Sequence, residues 1–309
     1  MTGPREQIHR YQHRAMATLF EIVSADGDDA FSAGAVQAAF EEIDRLEQDL
    51  SRYLPNSDVS RINNLQPDHS VRVSADTFEC LRLSLQYSGE TAGAFDVTTG
   101  ALKDCWVGRD RSLRTPSAGE IERARGRSGM HRLELDEGNM TVRARGTAPL
   151  IDLGAIGKGF AVDRAAELLR EWGVASALVH GGTSSVYAFG DYPGDAGWPV
   201  TLSNPVRLPE VLEKVLLRDQ GLGGSGITKG MHIIDPRSAS PVASRRASWV
   251  LSHTATRSDA LSTACMIMTQ EEIAGLIGRS RELRAIIVDE QPSAVLRFGQ
   301  WGESGRGSA

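Results

Sequence analysis

Several residues in this chain have the type and spacing to do chemistry. The stretch IDLGAIGKGFAVD sets Asp152 and Lys158 around Gly154, Gly157 and Gly159. A glycine turn lets the backbone approach an anion, and free amides at a helix start favour negative charge, so an anionic ligand suits this turn and Lys158 adds a point charge. A glycine turn that only tightens strand-to-helix packing reads the same way. In ATRSDALSTACMIM, Asp259 and Thr263 are four apart, which puts a carboxylate and a hydroxyl on one helix face near its start. Oxygen donors of this kind suit a hard cation, although a carboxylate there also complements the helix dipole unaided. His232 precedes IIDP. An imidazole titrates near neutral pH, as a general base must, but a histidine beside an apolar run is more often a satisfied core residue. Tyr53, in SRYLPNSDVSRIN, can stack on a ligand or simply pack its loop.

The elements that must position these groups follow from hydrophobic periodicity. A buried strand ending at Leu150 and Ile151 feeds the glycine turn, and a helix follows over 161–172. Upstream, a first strand follows Met16, a helix spans 30–50 with Phe31 on its apolar side, and a second spans 76–91 with Phe78, Leu81 and Leu85 inward. Gly93 and Gly100 bracket Phe95, Asp96 and Val97 as a short strand or tight loop. Residues 108–130 read as a surface excursion, and 133–135 with 140–143 as a hairpin. Strands are expected over 175–180, 198–202, 211–218, 249–252 and 284–288, with GGTSSVYAFG as a second glycine-containing crossing of the core and GLGGSG as a connector. The Asp259 helix starts with Ser258 as its N-cap. Alternating strands and helices with several hairpins predict one compact α+β domain of mixed sheets and helices over 14–300, flanked by a loose arm over 1–13 and a tail over 301–309.

Composition excludes several classes. The chain has 309 residues, 40% hydrophobic and 24% charged, which is ordinary for a soluble globular protein. A net charge of -6 argues against non-specific binding to nucleic acid or to an acidic membrane surface. Cys80, Cys105 and Cys265 are far apart and form no CxxC pair, so neither a disulfide scaffold nor a zinc site is indicated. The start, MTGPREQIHRYQHRAMATLF, carries charges where a signal peptide needs an apolar core, and no segment approaches the roughly 18 apolar residues of a membrane span. The expectation is a soluble cytoplasmic protein without membrane insertion.

Taken together, MATLFEI, SRYLPNSDVSRIN, GAFDVTTGAL, DLGAIGKGFAVD, HIIDP and SDALSTA resemble, in order, the FAD:protein FMN transferases, the ApbE family. The resemblance implies a single α+β domain with internally related architecture. It also implies Mg²⁺-dependent transfer of FMN from FAD to a threonine or serine of a target protein, releasing AMP. Carried over by motif, Met16 and Tyr53 are flavin contacts, Ala94, Phe95 and Asp96 line the flavin, and Asp152 and Lys158 contact FAD. The carbonyl of Ala155 joins Asp259 and Thr263 in the metal site, with Ser262 close by. His232 with Ile233 lies near the nucleotide, and His232 deprotonates the acceptor. His232, Asp259 and Lys158 are thus the expected catalytic residues. Thr183, Ser184 and Ser185 stand where many members carry an acidic or amide residue followed by an aliphatic one, which leaves local ligand contacts open. Two other readings fit the same residues: an FAD-binding protein without transfer, and a Mg²⁺-dependent FAD pyrophosphatase that gives FMN and AMP.

Overall fold

A computed structural model describes residues 8–25, 29–108, 110, 112–227, 230–290 and 294–301. Its elements begin with β1 (His9–Ala15), β2 (Thr18–Ser24), α1 (Asp29–Leu50), α2 (Asp58–Asn63), β3 (Ser70–Arg72) and α3 (Ala75–Glu90). The chain continues through α4 (Gly100–Trp106), α5 (Ala118–Arg125), β4 (Leu133–Asp136), β5 (Thr141–Ala144) and α6 (Gly157–Glu171). Next come β6 (Ala177–Gly181), β7 (Ser185–Phe189), β8 (Trp198–Ser203), β9 (Val211–Leu217) and β10 (Gln220–Gly226). The last part holds β11 (Ile234–Asp235), β12 (Ser240–Pro241), β13 (Arg245–Ser252), α7 (Ala255–Ile267), α8 (Gln270–Gly278), β14 (Arg284–Asp289) and β15 (Val295–Phe298).

An eight-stranded sheet in the order β1-β2-β6-β7-β10-β13-β14-β15 is antiparallel throughout. Successive residues of a strand point to opposite faces, so this sheet buries both. Phe20, Ile22, Val179, Tyr187, Val250 and Ile287 face a core shared with α1, α6 and α7. Val23, Ala188, Leu222, Leu251 and Ile286 face the other way, onto Trp198, Leu202, Leu212 and Leu217 of the β8–β9 hairpin. Hairpin, sheet and helices make a compact α+β domain, with the β3-β5-β4 sheet beside it.

The expected connector GLGGSG is instead β10, a central strand of the sheet. Its glycines exist for close approach, and composition alone disguised it as a loop. A Cβ on Gly221 would lie 2.3 Å from the Thr254 backbone, and one on Gly223 would lie 2.2 Å from the Ser258 backbone. Helix α7 therefore lies with its backbone directly on β10.

Other expectations are corrected in the same physical terms. Residues 9–13 of the expected loose arm pair with β2 as β1, because β2 would otherwise be an open edge; residues 1–7 and 302–309 lie outside the described residues. The strand expected after Met16 is β2, and Met16 with Ala17 forms the hairpin turn before it, both at positive φ (49° and 56°), as a tight two-residue turn demands. Ile151 belongs to no strand: the Asn63 side chain takes its N–H at 2.6 Å and donates to its carbonyl at 3.0 Å, replacing a strand partner. Phe31 and Leu85 are exposed. On α3 the small Ser84 and Ser88 turn inward beside Leu81, and Ser84 Oγ satisfies itself on the Cys80 carbonyl at 2.7 Å. The cap of α7 is Thr254, whose side chain accepts from the Arg257 N–H, so Ser258 lies inside the helix and is buried.

The contact between β10 and α7 leaves no room for a methyl group. Gly223→Ala is expected to lower stability by about 1 to 3 kcal/mol through overpacking. Gly275→Ala, with nothing within 4 Å of the added carbon, is expected to be neutral or slightly stabilising. Urea denaturation of both variants checks the contrast, and equal midpoints would contradict the backbone contact.

Candidate active site

The site is built around the N-termini of α6 and α7. Ile156 stands at the N-cap of α6 and has no side-chain oxygen to offer. The N–H of Gly159, in the first turn, donates instead to Asp259 Oδ2 of α7 at 3.1 Å. In return, Asp163 of α6 accepts from the backbone N–H groups of Ala255 and Thr256 at 2.8 Å each, and from the Thr256 hydroxyl. Each helix caps the other with a carboxylate, and the pairing order makes them antiparallel. Gly159 makes this possible, since a Cβ there would lie 2.4 Å from the Ala255 carbonyl. Asp259 is consequently only 2% exposed. It is a buried structural carboxylate one turn into the helix, not the exposed helix-start residue its position in the motif implies. Lys158 Nζ lies 3.5 Å from the same Asp259 oxygen and donates to the Gly154 carbonyl at 3.0 Å.

A cavity of about 340 Å³ opens over this junction, within the size range of small-molecule sites. It collects Ala94, Phe95, Asp96, Asp152, Ala155, Lys158, His232, Ile233, Asp259 and Thr263 from distant parts of the chain. At its floor Asp152 Oδ1 accepts from the Gly154 N–H at 2.9 Å, which fixes the turn. Asp152 Oδ2 takes Lys103 at 2.8 Å and Arg52 at 3.1 Å. Burial alone would raise this carboxyl, but the two cations hold it below the usual carboxylate range. Burial pushes Asp96 up, against two hydrogen bonds from Thr98 that favour its charged form. His232 is exposed on the cavity wall with Nδ1 2.8 Å from the Gly230 carbonyl. A carbonyl can only accept, so Nδ1 carries the hydrogen and Nε2 is the basic nitrogen of the neutral ring.

Met16 and Tyr53 do not line this cavity. Met16 sits in the β1–β2 turn against the main core, and Tyr53 is 76% exposed with its ring centroid 5.3 Å from the Arg52 guanidinium. Ser262 is buried behind the wall, bonded to Ser225, which also meets Thr263 Oγ1 at 3.0 Å. Thr183 and Ser184 do line the cavity. Reading the sequence missed Lys103, Ser225, Arg246 and Trp249 on its walls. Trp249 had a signal in strand alternation, since it must face away from the buried Val250. Lys103 and Arg246 had none, being one cation each in unremarkable surroundings.

A cation could be held here by oxygen alone. Among the described residues no cluster of three or more His, Cys, Asp or Glu side chains is suited to a metal. The Ala155 residue, the Asp259 carboxylate and the Thr263 hydroxyl border one cavity. Counting the Ala155 carbonyl, all are hard oxygen donors, which fits Mg²⁺ in its usual habit of few protein ligands completed by water and substrate phosphate.

The sequence pattern described as the ApbE family matches residues 16–287. An FAD:protein FMN transferase of Klebsiella pneumoniae is 26% identical over 275 residues, covering 84% of this chain and 78% of that protein. One of Vibrio cholerae is 28% identical over 285 residues, covering 87% and 83%. The crystal structure of the apo flavinyl transferase ApbE of Pseudomonas stutzeri superposes with a TM-score of 0.83 at 26% identity, over 97% of this chain and 100% of that one. The ApbE protein of Thermotoga maritima also gives 0.83, at 27% identity, over 94% and 97%. No helix among the described residues is long and apolar enough to cross a membrane.

The cap from Asp163 has a pH signature. Burial pushes this carboxyl from 3.8 up to about 6, outweighing its hydrogen bonds. A raised folded-state pKa means that the group's contribution to stability is fullest below about pH 4 and is lost as pH rises through about 6. The difference across that window is roughly 3 kcal/mol. Carboxyl-carbon NMR of Asp163 is expected to show a midpoint near 6, and Asp163→Asn to remove this part of the stability slope; a midpoint at or below 4 would contradict the burial effect.

Proposed function

This chain belongs to the ApbE family, and from that premise we propose that it is an FAD:protein FMN transferase, moving FMN from FAD to a threonine or serine hydroxyl of a target protein and releasing AMP. One observation supports the reading most: a single cavity brings together the glycine turn with its Lys158, the Asp259–Thr263 pair and His232 from three separate sequence blocks.

In this mechanism the FAD pyrophosphate lies over the glycine turn, where Lys158 offsets charge on its oxygens. Ala94, Phe95 and Asp96 line the flavin side. The acceptor hydroxyl attacks the phosphorus of the FMN half. The bond from that phosphorus to the bridging oxygen breaks, and AMP leaves with the electron pair. His232 Nε2 takes the hydroxyl proton, with Nδ1 anchored on Gly230 to keep the ring oriented. Ala155, Asp259 and Thr263 would hold Mg²⁺, which when bound supplies neutralisation of phosphate charge. Lys158 already stands beside Asp259, so the carboxylate that would help hold the ion also has an ammonium neighbour. Met16 and Tyr53 lie outside the cavity, so a contact with the flavin ring requires the ring to extend beyond it.

Incubation with FAD, Mg²⁺ and cell extract is expected to give a flavin-fluorescent protein band that survives denaturing electrophoresis. Free FMN and AMP with no labelled band would turn the reading to a pyrophosphatase. His232→Ala is expected to slow transfer by roughly 10² to 10⁴ with FAD affinity nearly intact; equal losses of both would make His232 a binding residue. Calorimetry is expected to show FAD and Mg²⁺ each raising the other's affinity by the same factor, and Asp259→Asn to shrink that factor; FAD affinity indifferent to Mg²⁺ would remove the metal site.

A further inference from the structure

We propose that Lys103 is a second cationic contact for the phosphates of the nucleotide, held in place for that role by Asp152 and Arg52; this rests on the nucleotide reading of the cavity above. Lys103 comes from α4 and Lys158 from α6, so two different elements bring an ammonium to the glycine turn, and both line the cavity. The two ammonium groups approach one residue. Lys158 Nζ is 3.0 Å from the Gly154 carbonyl oxygen, while Lys103 Nζ is 3.8 Å from the place a Cβ on Gly154 would occupy. A diphosphate laid over that glycine meets both cations.

Lys103 helps to neutralise Asp152, but it is not the only cation that this carboxylate has. Arg52 donates to the same oxygen of Asp152, and both side chains are 10% exposed, so the buried carboxylate has a buried counterion without Lys103. Asp104, the other partner of Arg52, is more than half exposed and screened by water. Lys103 itself is 31% exposed on its side chain. An ammonium carries three N–H donors, and the bond to Asp152 uses one of them. The others are available to the cavity. Asp152 thus aims the ammonium, and Arg52 keeps Asp152 from cancelling its charge one for one. Arg52 is a positioning residue here, acting through Asp152.

Fluorescence titration of the full chain with FAD, in Mg²⁺ and at low and high salt, tests this. Lys103→Gln is expected to weaken FAD binding by about tenfold to a hundredfold at low salt, the size of one charge-assisted hydrogen bond. That loss is expected to shrink severalfold near 1 M salt, and Lys103→Arg is expected to recover most of it. Unchanged affinity in Lys103→Gln, a loss equal at both salt concentrations, or failure of Lys103→Arg to recover binding would overturn the assignment. Labelling activity in the wild type alongside any of these would leave the transferase reading standing, whereas a wild type that does not bind FAD would overturn both.

Discussion

The reciprocal capping of α6 and α7 is the constraint on which the site depends. A helix N-terminus leaves its first N–H groups without partners, and α6 has only Ile156 at the position where a serine or aspartate would serve. Asp259 supplies the missing acceptor from α7, and Asp163 returns the service. A single cap contributes about 0.5 to 2 kcal/mol, a modest amount. Two caps facing opposite ways do more than add, because neither helix can slide along the other without losing both. The register they set places Lys158 and Asp259 side by side at the cavity floor.

Glycine makes this junction possible at some cost to the isolated elements. Each glycine in a helix or strand interior costs roughly 0.5 to 1 kcal/mol against alanine. Gly159, Gly221 and Gly223 all sit where a methyl group would strike the backbone of α7. The gain is positional: α7 lies flush on the sheet and against α6. Ser225 at the end of β10 then reaches Thr263 and Ser262. The face of α7 that looks into the cavity is fixed from below by β10 and from the side by α6.

Much of this was legible before the structure. The order of strands and helices, the glycine turn, and the Asp259–Thr263 face follow from periodicity and spacing. Asp152, Lys158, His232, Asp259 and Thr263 do line one cavity. What stayed hidden has physical causes. GLGGSG looked like a loop because a strand that packs on a helix backbone must discard the side chains by which strands are recognised. Asp163 and Asn63 were invisible because each replaces a backbone partner far away in sequence, and no local pattern encodes that. The burial of Asp259 was hidden because a motif gives residue types but not what packs above them. Lys103 carries no pattern of its own and acquires its place only when α4 folds against the glycine turn.

The two carboxylates divide the work: Asp259 lines the first cavity, whereas Asp163 lines a second one and not the first. Asp163 therefore offers a direct test of whether the mutual capping sets the site. The measurement is the factor by which Mg²⁺ raises FAD affinity, taken by calorimetry on folded Asp163→Leu and wild type. If the capped pair sets the site, that factor falls severalfold in the variant although the altered residue does not line the first cavity. An unchanged factor in a folded Asp163→Leu would contradict the account, and would leave the Gly159 N–H and Lys158 as sufficient to hold Asp259.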